Sequence, residues 1–241
     1  MINKLLPQKE LNPKFWDANK KLRSEVREHQ LRIALEFKKF LQLPETKLTE
    51  KVQVVNVKFT GSLANYNYSE YSDVDLHLML DLSNVPAEEL PLVTEYLQSR
   101  KDLWNNNHEI DIYGYNVECY PEPYGQPHFA TGTYSVTKDE WMVEPNYEAV
   151  EPDKELIEKK VTGFMNILKS LESADMKPED MIKSIEILQT KIKKMRQAGL
   201  SEEGEFSVEN LVFKILRRLG ALDKLSTLKG TILDKSISLE S

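Results

Sequence analysis

Cysteine is almost absent from this 241-residue chain: Cys119 stands alone. One thiol excludes an internal disulfide framework and any cysteine-based zinc centre. No apolar run approaches the roughly 18 residues that a membrane helix needs, and MINKLLPQKELNP carries no apolar signal region. A cytoplasmic protein is therefore expected. An excess of basic charge is missing too: 32 Lys and Arg face 39 Asp and Glu, a net of -7. A protein held to nucleic acid by bulk charge is basic, so any such contact here must be local. The phosphate-loop pattern G-x-x-x-x-G-K-[ST] and the dinucleotide pattern G-x-G-x-x-G are both absent.

The charge that is present is unevenly spread. Residues 151–241 hold 16 of each sign, so the whole acidic excess falls in residues 1–150. That half is where a bound cation is least surprising. The patterning changes at the same place and predicts two domains, 1–150 and 151–241. In the first, Asn12 and Pro13 suit a helix start, and helical spacing of apolar residues from Trp16 to Phe40 predicts a helix from about Asn12 to Leu43, stopped by Pro44. KVQVVNVKF and DVDLHLML alternate as strands. AEELPLVTEYLQSRKDLW reads as a helix interrupted early by Pro91, and HEIDIYGYNVECY as two short strands meeting near Gly114. Residues 121–152 are proline-rich and read as loops around one hairpin, TYSV against EWMV. After Asp153, three segments show helical periodicity, the third with Ser207 as N-cap. The expected fold is α/β (α+β): a small mixed sheet with flanking helices, then an all-helical domain, with a ligand cleft between them.

The chemistry is concentrated in FTGSLANYNYSEYSDVDLHLML, residues 59–80. Gly61 and Ser62 follow a strand, and backbone N–H groups at such a turn, with a serine hydroxyl, suit phosphate oxygens. Asp73 and Asp75 lie two apart on the next strand and share a face with His77, opposite Val74, Leu76 and Leu78. Two adjacent carboxylates repel unless a cation sits between them, and all-oxygen sites suit magnesium. A phosphate-holding turn beside a dicarboxylate metal site is equipment for phosphoryl or nucleotidyl transfer. The plainer alternative is a turn followed by capping aspartates.

GS, ten residues, then D-x-D resembles the signature of the nucleotidyltransferase superfamily related to DNA polymerase beta. The order of elements is similar too, and the whole chain resembles uncharacterised phage-type nucleotidyltransferases. The resemblance implies Gly61 and Ser62 on an NTP triphosphate and Asp73 and Asp75 on two Mg2+ ions, with Mn2+ as a substitute. It also implies a third carboxylate on a later strand. Parity leaves Asp111 and Glu118 as candidates; Glu118, mid-strand between apolar neighbours, is favoured. Where many relatives have Arg and Gly, this chain has Asn65 and Tyr66, and Asn65 can still hydrogen-bond phosphate, sugar or base.

Other residues carry a functional and a bland reading each. Lys214, Arg217 and Arg218 share a helical face that suits the NTP or an RNA backbone, or else open solvent. Lys191, Lys193, Lys194 and Arg196 read as a solvated run, Tyr134 and Ser135 as hairpin core, and Cys119 as a small apolar core residue. The expected activity is metal-dependent transfer of a nucleoside monophosphate from an NTP, ATP included, to a hydroxyl, an RNA 3′ end such as that of tRNA being favoured, with pyrophosphate released. The alternatives are a cyclic-oligonucleotide synthase, a small-molecule or protein nucleotidyltransferase, and a non-catalytic nucleotide- or RNA-binding protein.

Overall fold

Alternation of apolar and polar residues builds the strands of this computed structural model, which describes residues 2–42, 52–125 and 131–239. Strand β1 (Gln53–Thr60) pairs antiparallel with β2 (Val74–Asp81), placing Lys58 opposite His77 and Thr60 opposite Asp75. Helices α1 (Ser24–Leu41) and α2 (Leu90–Asn107) flank them in sequence. Because α2 serves as a crossover, the next long strand can run parallel to β2. Strand β3 (Asp111–Ile112) turns back through Tyr113 and Gly114, with φ of 55° and 82°, into strand β4 (Tyr115–Pro123). Two positive φ angles in succession are those of the tight hairpin turn that matches strand twist. Strand β4 aligns Asp75 with Glu118, His77 with Tyr120 and Met79 with Glu122. Strands β5 (Thr133–Ser135) and β6 (Glu140–Val143) complete a six-stranded mixed sheet among the described residues, ordered β3-β4-β2-β1-β5-β6.

One face of this sheet is apolar and the other mostly polar, Met79 being an apolar residue on the latter. Val57, Phe59, Val74, Leu76, Leu78, Val117 and Cys119 point to the side that joins Val26, Ala34 and Phe37 of α1 and Val93, Leu97 and Trp104 of α2 in one core. Asn56, Lys58, Thr60, Asp75, His77, Glu118, Tyr120 and Glu122 alternate with them and share the other face.

The chain divides into two compact units, Pro7–Glu148 and a second formed by the chain from Ala149 onward with the residues up to Leu6. The second contains α3 (Lys154–Glu172), α4 (Pro178–Glu202), α5 (Val208–Arg218) and α6 (Ala221–Ile237), around Ile157, Ile185, Leu211 and Leu216. Asp153 caps α3 by accepting from the Leu156 N–H at 2.9 Å, and Ser207 caps α5 by accepting from the Asn210 N–H at 3.3 Å. A Cβ on Gly199 would lie 2.6 Å from Ser207 Oγ, so glycine permits the close approach of α4 to the start of α5. Ile2 and Leu5 are buried in this core. The division into units falls between Glu148 and Ala149, and the first residues belong with the back half of the chain.

Three other expectations are corrected. The first helix begins at Ser24, not Asn12; the Asn12 carbonyl instead accepts from Phe15 and Trp16 N–H groups, and a bridge joins Trp16 to Leu22. Its expected end at Leu43 and Pro44 lies outside the described residues. Pro91 sits in the first turn of α2, where its missing N–H has no helical partner to lose. Residues 121–123, expected as loop, continue β4. No helix among the described residues is long and apolar enough to cross a membrane.

Candidate functional site

At the end of β1 the backbone passes through Gly61 with φ 78° and ψ -163°, outside the regions favoured by residues with a Cβ. Space makes the same demand, since a Cβ there would lie 1.8 Å from Asp75 Oδ2 and 2.8 Å from its Cγ. Glycine thus brings the turn against the carboxylate. Ser62–Ala64 form one 3-10 turn, closed by Ala64 N–H to the Gly61 carbonyl and Asn65 N–H to that of Ser62. Ser62 Oγ donates to Ser72 Oγ at 2.7 Å, and Ser72 Oγ accepts from the Ser69 N–H at 2.9 Å, so the loop leading to Asp73 is tied to the turn. Asn65 is held at both ends of its amide, donating to Thr131 Oγ1 at 2.5 Å and accepting from the Tyr66 N–H at 2.7 Å. Gly132 also lies against this turn: a Cβ there would meet the Ala64 carbonyl oxygen at 2.1 Å, and its own carbonyl accepts from Thr60 Oγ1 at 3.0 Å.

Asp73 stands just before β2, and Asp75, within β2, is flanked in register by Thr60 on one side and Glu118 on the other. Glu118 Oε2 accepts a hydrogen bond from the Tyr120 hydroxyl. Burial above all, then that bond and the negative charges of Glu118, Asp75 and Asp73, push the Tyr120 pKa up, which keeps the hydroxyl a donor. All three carboxylates therefore act on one side chain. The Tyr120 ring stacks on His77, with centroids 4.8 Å apart. Glu122 takes His77 Nδ1 on one oxygen at 2.7 Å and Lys58 Nζ on the other at 2.6 Å. Burial raises the Glu122 pKa, but hydrogen bonds from His77 and Lys58 and their positive charges overcome it and bring the value down to about 2.

Of the two third-carboxylate candidates, Glu118 is the one beside Asp75. Asp111 is exposed and accepts from the Gly114 N–H at 2.9 Å, serving the β3–β4 turn. Lys214, Arg217 and Arg218 lie on α5 in the other unit, where Lys214 donates to Glu205 Oε2 at 3.0 Å. Arg196 leaves the basic run of its helix, its guanidinium 4.3 Å from the Phe213 ring centroid. Tyr134 is core, packed edge-on to Trp16 and Trp141, with its hydroxyl on Asp139. Ser135 Oγ donates to Asn56 Oδ1 at 2.8 Å. Cys119 is fully buried, and burial first, with the Glu118 charge adding, pushes its thiol up to about 12, which removes it from nucleophilic chemistry near neutral pH.

Sequence reasoning missed Lys58, Tyr120 and Glu122. Parity was the available signal for Lys58 and Tyr120, which alternate with apolar residues on strands that carry the site, whereas Glu122 lies between two prolines in a stretch that reads as loop.

Among the described residues, no three His, Cys, Asp or Glu side chains stand together as a ready ion-binding group. The donor set nevertheless fits a hard divalent cation. It is all oxygen, Asp75 and Glu118 are direct neighbours on paired strands, and Gly61 leaves Asp75 the space that a side chain would fill. Comparison of the chain with protein-family models, curated proteins and solved structures gives no match.

Proposed function

We propose that this sheet is the core of a nucleotidyltransferase, moving a nucleoside monophosphate from an NTP to a hydroxyl acceptor. The observation that carries the reading is the packing of the Gly61-Ser62 turn on Asp75, with Glu118 in register beside it. A phosphate-binding turn and a set of carboxylates must adjoin if one is to hold a triphosphate and the other its cations, and these do.

In this reading the N–H groups that open the Ser62–Ala64 turn take triphosphate oxygens, and the Ser62 hydroxyl joins them by giving up its bond to Ser72 Oγ. Asp73, Asp75 and Glu118 would hold two Mg2+ ions, with Mn2+ as a substitute. Bound there, the metal neutralises the triphosphate and leaving oxygen and lowers the pKa of the attacking hydroxyl. Glu118, the longest of the three, also accepts the proton of that hydroxyl. Asn65 orients sugar or base. An RNA 3′ end is the acceptor of first choice.

Incubation with labelled NTPs, Mg2+ and RNA tests this directly. Asp73→Asn or Asp75→Asn is expected to reduce transfer by about 100-fold or more, the equivalent of several kcal/mol of charge stabilisation. Melting temperature should hold or rise, because the change relieves repulsion between carboxylates. Turnover near wild type in either variant overturns the assignment.

A further inference from the structure

Tyr120 has a place in this site that the transfer reaction does not require. Its hydroxyl donates to Glu118 Oε2, and a carboxylate oxygen engaged by a donor has fewer lone pairs for a cation. The ring is stacked on His77 at 4.8 Å, and Lys101 Nζ lies 5.6 Å from its centroid. His77 is in turn fixed by Glu122, and Glu122 by Lys58 of the neighbouring strand β1. The hydroxyl is thus anchored by a chain of contacts that crosses from β4 to β1. Glu118 and Asp75 stand on backbones one strand spacing apart, roughly 4.8 Å, so one cation can be shared by their side chains.

We propose that Tyr120 is a positioning residue that engages Glu118 Oε2 in the resting site, so that cation binding through that oxygen exchanges the Tyr120–Glu118 hydrogen bond for coordination. The inference rests on the reading of these carboxylates as a metal site. Tyr120 thereby weakens the resting affinity for the cation and makes recruitment of Glu118 a separate event.

The test is Mn2+ binding without nucleotide, read from the loss of the free-ion electron paramagnetic resonance signal, on the full chain and four variants. Tyr120→Phe keeps the ring and its stack and removes only the hydroxyl. It is expected to bind Mn2+ about tenfold more tightly, the value of one hydrogen bond to a charged acceptor. In Glu118→Gln the same tyrosine change should have no effect, which ties the gain to that carboxylate. Asp75→Asn separates the two levels of the argument. If it binds Mn2+ like wild type, the metal site itself is wrong. If it loses Mn2+ while Tyr120→Phe binds no more tightly than wild type, the metal site stands and the role of Tyr120 is overturned.

Discussion

Lys58 is 1% exposed on a central strand, and a buried ammonium is tolerated only when its charge is matched. Glu122 matches it and holds His77 with its second oxygen. Glu122→Gln is therefore expected to destabilise the fold by about 3–5 kcal/mol near neutral pH, the usual loss when one partner of a buried pair is removed. The sign of the pH dependence follows from the lowered pKa. Glu122 ordinarily titrates at 4.5 and is held at about 2 in the fold, so its stabilisation is complete above 4.5 and is lost as pH falls toward 2. Urea titrations from pH 6 to 2 should show wild type and variant converging across that window. At this scale strand parity, a local property, told which face Asp75, His77, Glu118 and Tyr120 would occupy, but not that of Glu122, whose segment reads as loop. It did not tell which residues would be neighbours across strands. Tyr120 meets His77 and Glu122 meets Lys58 only through the registers of β4 on β2 and β1 on β2, and register depends on pairing between distant segments.

Strand β4 shows what an element must do at the rim of a sheet. Its odd-numbered N–H groups point away from β2: that of Val117 reaches the Ile110 carbonyl, and that of Cys119 reaches Asn105 Oδ1. Asn105 also donates Nδ2 to the Cys119 carbonyl at 3.1 Å, so one α2 side chain satisfies both backbone groups, as a neighbouring strand would. Beyond it, Pro121 and Pro123 occupy the next two outward positions, where no ladder N–H is lost. Their periodicity was hidden by the composition of PEP, which reads as loop unless the strand is known to lie at an edge. The helix wrongly expected over residues 12–23 has a similar origin. Phe15, Trp16 and Leu22 are buried, so the apolar pattern is real, but Asp17 Oδ1 accepts from the N–H groups of Asn19 and Lys21 and folds the chain into turns instead. Asn105→Ala removes two hydrogen bonds of a half-buried edge and should lower stability by about 1–3 kcal/mol, read as a shift in urea midpoint. Asn105→Asp keeps the acceptor for the Cys119 N–H but loses the donor, and is expected to recover only part of that loss.

For the molecule as a whole, the change of composition falls near residue 150, and helical periodicity in the back half is strong and local. The allegiance of the first residues was not legible, because nothing in MINKLL says which distant surface it will meet. Ile2 and Leu5 pack into the helical core, and the turn they form touches α5. Leu5→Ala should cost this unit about 2–4 kcal/mol, the range for deleting a buried leucine side chain, and hydrogen exchange should report it first as faster exchange along α5. This arrangement also orders events during synthesis. The opening residues leave the ribosome roughly two hundred positions before the helix they pack against, so Ile2 and Leu5 wait with their apolar surface in solvent until translation reaches the end of α5. The sheet unit in between can assemble while the chain is still growing, whereas the helical unit closes its core only after α5 has been made. A nascent-chain binder has a long opportunity at Ile2 and Leu5.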